Sequence, residues 1–166
     1  LNYYIINNTY LLDDDFMSLE LCTWIENHAH LPKLAMHLRT IISTNGRLSA
    51  FVTELLEYSG YCTKEELKNT HDALKELEEK SEFECLKIRA DRLMEKKKYT
   101  AAIFEYKKLL SFEDAKHTER VLYGNIYHNL ATAYVQLFLF DIAADLYLEA
   151  FRQNGDRKSL WSCLYA

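Results

Sequence analysis

The sequence predicts an all-α protein of stacked antiparallel helical hairpins, preceded by an extended or hairpin-like N-terminal segment. Three observations carry this. The 166 residues include only 4 Gly and 1 Pro, against roughly 12% for that pair in an average chain. Sandwiches and barrels need many turns, and turns draw on those two residues. Apolar residues make up 49% of the chain and aromatics 13%, enough for a sizeable core and too many for disorder. The apolar residues recur at helical spacing over most of the length.

The opening segment, residues 1–12, differs from the rest. Aromatic and β-branched residues flank Asn7-Asn8, a pair able to form a two-residue hairpin turn. An extended arm fits equally well. Residues 13–81 then read as about four helices. Asp13-Asp14-Asp15 place negative charge at a helix start, and Phe16, Leu19, Cys22 and Ile25 continue the helix to about His28. Pro32 suits the first turn of the next helix, which carries Leu34, Leu38, Ile41 and Ile42 to a stop at Asn45-Gly46. Ser49 is placed to cap a third helix, with Phe51, Val52, Leu55 and Leu56, closed at Gly60. Thr63 and Glu66 form a capping box for a charged fourth helix through Leu67, Leu74 and Leu77.

Residues 82–166 show an internal period. Ser81 and Glu84 form a second capping box. The helix after it carries Leu86, Ile88, Ala90, Leu93 and Met94 and breaks near Lys96-Lys97-Lys98. Its partner holds Tyr99, Ala102, Ile103, Tyr106 and Leu109. The next pair has the same character, with Tyr127, Leu130, Ala131 and Tyr134 on one helix and Phe140, Ala143, Tyr147 and Ala150 on the other.

These pairs resemble tetratricopeptide repeats, a family of 34-residue helix-turn-helix units that stack into a right-handed α-solenoid. Residues 124–157 carry the resemblance best. Tyr127, Leu130, Ala131 and Tyr134 match the first helix of the pattern, Phe140, Ala143, Tyr147 and Ala150 the second. Gly155 stands where a proline is usual. Residues 83–116 match with departures at Arg89 and Leu109. Trp161 and Leu164 continue the phase 34 residues after Tyr127 and Leu130, so residues 158–166 resemble the start of a third unit or a cap. Residues 117–123 form an insertion expected to lengthen the helix that enters the second unit. In this pattern small residues let two helices approach closely, so Ala90 is expected opposite Ala102, and Ala131 opposite Ala143.

The resemblance implies a non-enzymatic scaffold that binds a peptide or partner protein in a concave groove lined by the first helix of each pair. By phase, that surface comprises Glu84, Lys87, Asp91 and Met94 in the first unit, and Asn125, His128, Asn129, Thr132 and Gln136 in the second. Some members of the family clamp a C-terminal carboxylate with Lys and Asn from neighbouring repeats. Lys87 and Asn129 fit that arrangement, whereas Asp91 stands where an amide is expected, and Ser159 and Cys163 where cations are.

Other chemistries find less support. The four glycines are too dispersed for a phosphate loop. No GxSxG or comparable catalytic motif is present, and Glu65-Glu66 and Glu78-Glu79 read as solvated helix faces. His28, His30 and His37 crowd one connection, yet no cysteine or carboxylate completes a recognised ligand spacing. No metal or cofactor is therefore expected. Cys22, Cys62, Cys85 and Cys163 lack CxxC spacing and read as reduced thiols of a cytoplasmic protein. The net charge is −5, with −6 in residues 1–81 and +1 in 82–166, so neither half has the basic excess of a nucleic-acid binder. Arg89, Arg92, Lys96, Lys97, Lys98, Lys107 and Lys108 nonetheless cluster about one hairpin. A solvated face is the default reading, an acidic partner the first alternative and nucleic acid the second. Residues 31–60 suit a helix-turn-helix reader in layout, but Glu54 and Glu57 would face the phosphates. No apolar run is long enough to cross a membrane, and no membrane partner is expected. The chain opens on Leu1 rather than Met, which leaves room for a longer protein. A peptide-sensing transcriptional regulator, or the accessory region of a larger enzyme, is the competing reading. The oligomeric state is not legible.

Overall fold

The computed structural model describes residues 1–112 and 120–165. Every regular element among them is helical. The α-helices are α1 (Asn2–Asn7), α2 (Leu19–Asn27), α3 (Pro32–Ser43), α4 (Leu48–Ser59), α5 (Lys64–Glu78), α6 (Glu82–Glu95), α7 (Tyr99–Leu110), α8 (Arg120–Gln136), α9 (Phe140–Asn154) and α10 (Arg157–Tyr165), with single 3-10 turns at Thr9–Leu11 and Asp14–Phe16. The chain divides into two compact units, Leu1–Lys80 and Ser81–Ala166. Among the described residues no helix is long and apolar enough to cross a membrane.

The N-terminal segment departs from the expected hairpin or extended arm. It is helical because Asn7 and Asn8 do not turn a hairpin. Each amide donates to a carbonyl four residues back, Tyr3 O and Tyr4 O, at 2.8 Å. The segment's β-forming residues are overridden by burial: Ile5, Tyr10 and Leu12 all leave solvent, with Ile5 and Leu12 in the core that Cys22, Ile25, Leu38 and Phe51 also build. Strand propensity is a weaker term than that burial.

Two other helix starts shift. Asp13–Asp15 open only a 3-10 turn, and α2 begins after Ser18, whose hydroxyl accepts from Leu21 N. Ser49 lies inside α4 rather than capping it. Its backbone N–H, one of the unpaired donors of a helix start, instead donates to Glu78 Oε1 at 2.7 Å, a cap reaching over from the end of α5. Both expected capping boxes form, at Thr63–Glu66 and Ser81–Glu84. Hydrogen bonds from the Thr63 backbone and hydroxyl hold the Glu66 carboxyl below its ordinary pKa. Gly60 and Gly155 end α4 and α9 in the left-handed conformation, at φ 68° and 69°, where a side chain is strained.

Three hairpins share one design. The turn of α6–α7 places Lys97 at φ 58°, and that of α8–α9 places Phe138 at φ 61°. The residue after each, Lys98 or Leu139, donates to the carbonyl five back, Leu93 or Tyr134, at 2.9 and 3.0 Å. The α2–α3 turn repeats this with one more residue: His30 has φ 57°, and Leu31 donates to Ile25 O at 3.2 Å. Fully buried small residues sit at matching positions, Cys22, Ala90 and Ala131 on the first helices and Ala35, Ala102 and Ala143 on the second. Each hairpin is also tied by a polar pair at one register: Arg39 to Thr23 (3.4 Å), Tyr106 to Asp91 (2.6 Å) and Tyr147 to Thr132 (3.0 Å). The second and third hairpins lie 41 residues apart. The expected 117–123 insertion falls partly outside the described residues; from residue 120 onward it belongs to α8.

Candidate functional site

The site lies within the second unit and is built on α6, α8 and α10. Lys87, Asp91 and Met94 lie four and three residues apart on α6, which puts them on one face. His128, Asn129, Thr132 and Gln136 do the same on α8. Asp91 is the centre of a carboxylate network. Its Oδ2 accepts from Lys87 Nζ at 2.6 Å, and its Oδ1 accepts from Tyr106 OH at 2.6 Å and from Asn129 Nδ2 at 3.3 Å. Burial, reinforced by the Asp91 hydrogen bond, pushes the Tyr106 hydroxyl far above the ordinary tyrosine pKa.

A second network continues onto α10. His128 Nδ1 lies 2.9 Å from the hydroxyl of Ser159, which is fully buried. The imidazole packs edge-on against Tyr147, 5.0 Å between centroids. Thr132 donates to His128 O at 2.9 Å and shares a hydrogen bond with Tyr147 OH. Side chains thus join α6 to α8 through Asp91 and Asn129, and α8 to α10 through His128 and Ser159.

Burial lowers the His128 pKa, with Asp156 opposing and Lys158 adding to the shift. A histidine whose folded-state pKa is depressed binds fewer protons folded than unfolded as pH falls below its ordinary value of about 6.5. Stability should therefore be full above pH ~6.5 and decline on acidification through that value. The midpoint of urea unfolding, followed from pH 7.5 to about 5, should fall less steeply for His128→Asn than for the parent chain. Superimposable profiles would show that His128 carries none of the acid sensitivity.

The remaining groove residues divide. Met94 is half-buried and Gln136 exposed on the face. Asn125 accepts a hydrogen bond from Asn154 Nδ2 at 3.2 Å and so serves the α9–α10 turn. Glu84 is occupied with capping α6. The carboxylate-clamp arrangement is not met, because the cation it needs, Lys87, is neutralised by Asp91 and an incoming carboxylate would meet that same charge. Tyr106, Tyr147 and Ser159 are the partners that the groove list lacked. The equal 15-residue spacing of Asp91–Tyr106 and Thr132–Tyr147 was the available signal.

Other clusters resolve locally. Arg92 pairs with Glu95 at 2.8 Å. Lys107 lies over the Tyr134 ring at 5.8 Å and Lys108 over Phe104 at 4.6 Å. His28 stacks on Trp24, 6.0 Å between centroids, while His37 pairs with Glu54 of α4 at 2.8 Å. Burial raises the thiol pKa of Cys22 and of Cys62, away from the thiolate that reactive cysteines require.

No protein-family model, no curated protein and no solved structure matches this chain. The class is therefore defined by architecture alone: an all-helical chain containing three hairpins of one design.

Proposed function

We propose that the chain is a non-enzymatic interaction module of the tetratricopeptide-like kind, which binds a peptide or partner protein along the face of α6, α8 and α10. The supporting observation is the edge-to-edge linkage of those helices by Asp91–Asn129 and His128–Ser159. It aligns consecutive first helices into one polar wall. With Lys87 cancelled by Asp91, the wall presents the exposed Gln136 amide beside the half-buried Asn129 and His128 rather than net charge. Such groups suit the backbone and uncharged side chains of an extended peptide. The shared register of the α6–α7 and α8–α9 hairpins, both in one unit, supports the stacking that this reading needs.

Peptides selected against the intact chain from a random library provide the test. The selected sequences should lose roughly five- to tenfold in affinity by calorimetry on Gln136→Ala with Met94→Ala, the size of a modest interface contact. Both side chains lie outside the two networks, so folding should be unaffected. Trp24→Ala, in the other unit, should leave affinity unchanged. A selection that yields no binder, or binders indifferent to the groove pair, would overturn the proposal.

A further inference from the structure

The turns of α6–α7 and α8–α9 share their backbone but not their side chains. Lys96-Lys97-Lys98-Tyr99 in the first corresponds, position for position, to Leu137-Phe138-Leu139-Phe140 in the second. Phe138 is 79% exposed, and Leu139, Phe140 and Ile142 are exposed beside it. The Phe138 and Phe140 rings meet edge to face, 6.1 Å apart.

The turn's backbone does not require an apolar residue at its left-handed position. Lys97 adopts the same left-handed conformation that Phe138 does, so the turn accepts a charged residue there. A bulky residue in that region is unfavourable, and so is a large ring left in water. Phe138 bears both costs, 79% exposed and with its ring set against that of Phe140. Four successive apolar residues at an exposed turn mark a surface that is covered in use.

The two turns lie at the same edge of the unit. Tyr106 bonds Asp91 across the short α6–α7 turn, so these helices run antiparallel. Tyr123 OH donates to Phe112 O while Lys107 lies over Tyr134, so α7 and α8 do too. Hence α6 and α8 are parallel. From the Asp91–Asn129 bond, six residues along α6 lead to Lys97 and nine along α8 to Phe138. At ~1.5 Å per residue both turns emerge on one side, about 5 Å out of step. Lys97 and Lys98 are exposed there. Arg92, paired with Glu95, and Lys96 flank them, and Asp141 is the acidic residue beside Phe138.

We propose that this edge docks on an anionic lipid bilayer, with Phe138, Leu139 and Phe140 entering the headgroup boundary and Lys97 and Lys98 contacting acidic headgroups. Protruding aromatic and aliphatic side chains next to lysines suit a soft, negatively charged interface, which needs no matching pocket. That no helix among the described residues is long and apolar enough to span bears on crossing a bilayer and not on lying against one. The site borders the end of the groove at Gln136 but shares no residue with it, and neither proposal depends on the other.

The test is co-sedimentation of the intact chain with vesicles of phosphatidylcholine alone and of phosphatidylcholine mixed with phosphatidylserine. Binding is expected to the mixed vesicles, weakening as salt is raised. Phe138→Asn should lower the partition coefficient roughly tenfold. The double variant Lys97→Gln with Lys98→Gln should lower it by about fivefold per lysine. Asn is at ease in the left-handed turn, as Asn45 shows at φ 55°, so Phe138→Asn should melt no lower than the parent, and lost binding will not reflect misfolding. Met36→Ala, at an exposed apolar residue of the other unit, should bind vesicles like the parent. No association with the mixed vesicles, or association that these variants leave unchanged, overturns the proposal. So does a Phe138→Asn variant that abolishes self-association in sedimentation velocity while vesicle binding persists, which would assign the edge to a second copy of the chain.

Discussion

Gly124→Leu is expected to destabilise the second unit by about 3 kcal/mol, at the upper end of the overpacking range. A glycine inside a helix costs about 1 kcal/mol relative to alanine, so its presence in the second turn of α8 calls for a packing reason. The reason is Asn154. A Cβ at position 124 would stand 2.5 Å from Asn154 Cβ and 2.6 Å from its Cγ, far inside van der Waals contact. Asn154 has little room to yield. It closes α9, its Nδ2 donates to Asn125 Oδ1 at 3.2 Å, and its Oδ1 accepts from Asp156 N at 2.8 Å. Immediately after it, Gly155 turns the chain into α10. The midpoint of urea denaturation should fall with an unchanged slope. In an Asn154→Gly background the obstructing Cβ is gone, and Gly124→Ala should then be neutral or stabilising through helix propensity. An additive cycle would mean that the close approach is not what selects glycine.

Asp91→Ala should cost roughly 2–4 kcal/mol, because it strands several donors at once. Tyr106 is fully buried, and its hydroxyl would lose the acceptor at 2.6 Å. Lys87 would lose its counter-charge and Asn129 its link to α6. Tyr106→Phe removes donor and hydroxyl together and should cost less, about 1 kcal/mol. The pair also makes an alkaline prediction. The folded-state pKa of Tyr106 is raised above the ordinary value of about 10. Its contribution is therefore fully present below pH ~10 and is lost as pH rises beyond it. Tyr106→Phe should flatten the alkaline limb of the stability profile, and identical limbs would remove Tyr106 as its cause.

The helices of both units were legible because their signals are local. Capping boxes, Pro32, Gly60, Gly155 and the apolar spacing of Leu86, Ala90 and Leu93 act within a turn or two of the residues they organise. The correspondence of the α6–α7 and α8–α9 hairpins was legible too, since Ala90 and Ala131 lie at matching positions of similar helices, although the matching role of Cys22 was hidden by one extra residue in the α2–α3 turn. The groove stripe followed from helix geometry, which sets the face a residue shares but not the partner its side chain chooses.

The errors fall where a distant group decides. The sequence around Asn7-Asn8 favours a hairpin by propensity, and burial of Ile5 against residues far along the chain made it a helix. Ser49 has the right chemistry for a cap, but Glu78, 29 residues on, supplies that cap to α4. Gly124 is at odds with helix propensity, and the reason for it is Asn154, 30 residues on, standing against it. Composition and local pattern were enough to establish an all-helical chain, its helix ends and the small residues set into its hairpins. The pairing of Asp91 with Tyr106 and Asn129, the reason for Gly124 and the exposure of Phe138 arose only when the helices packed, because each depends on through-space distances that no local interaction encodes.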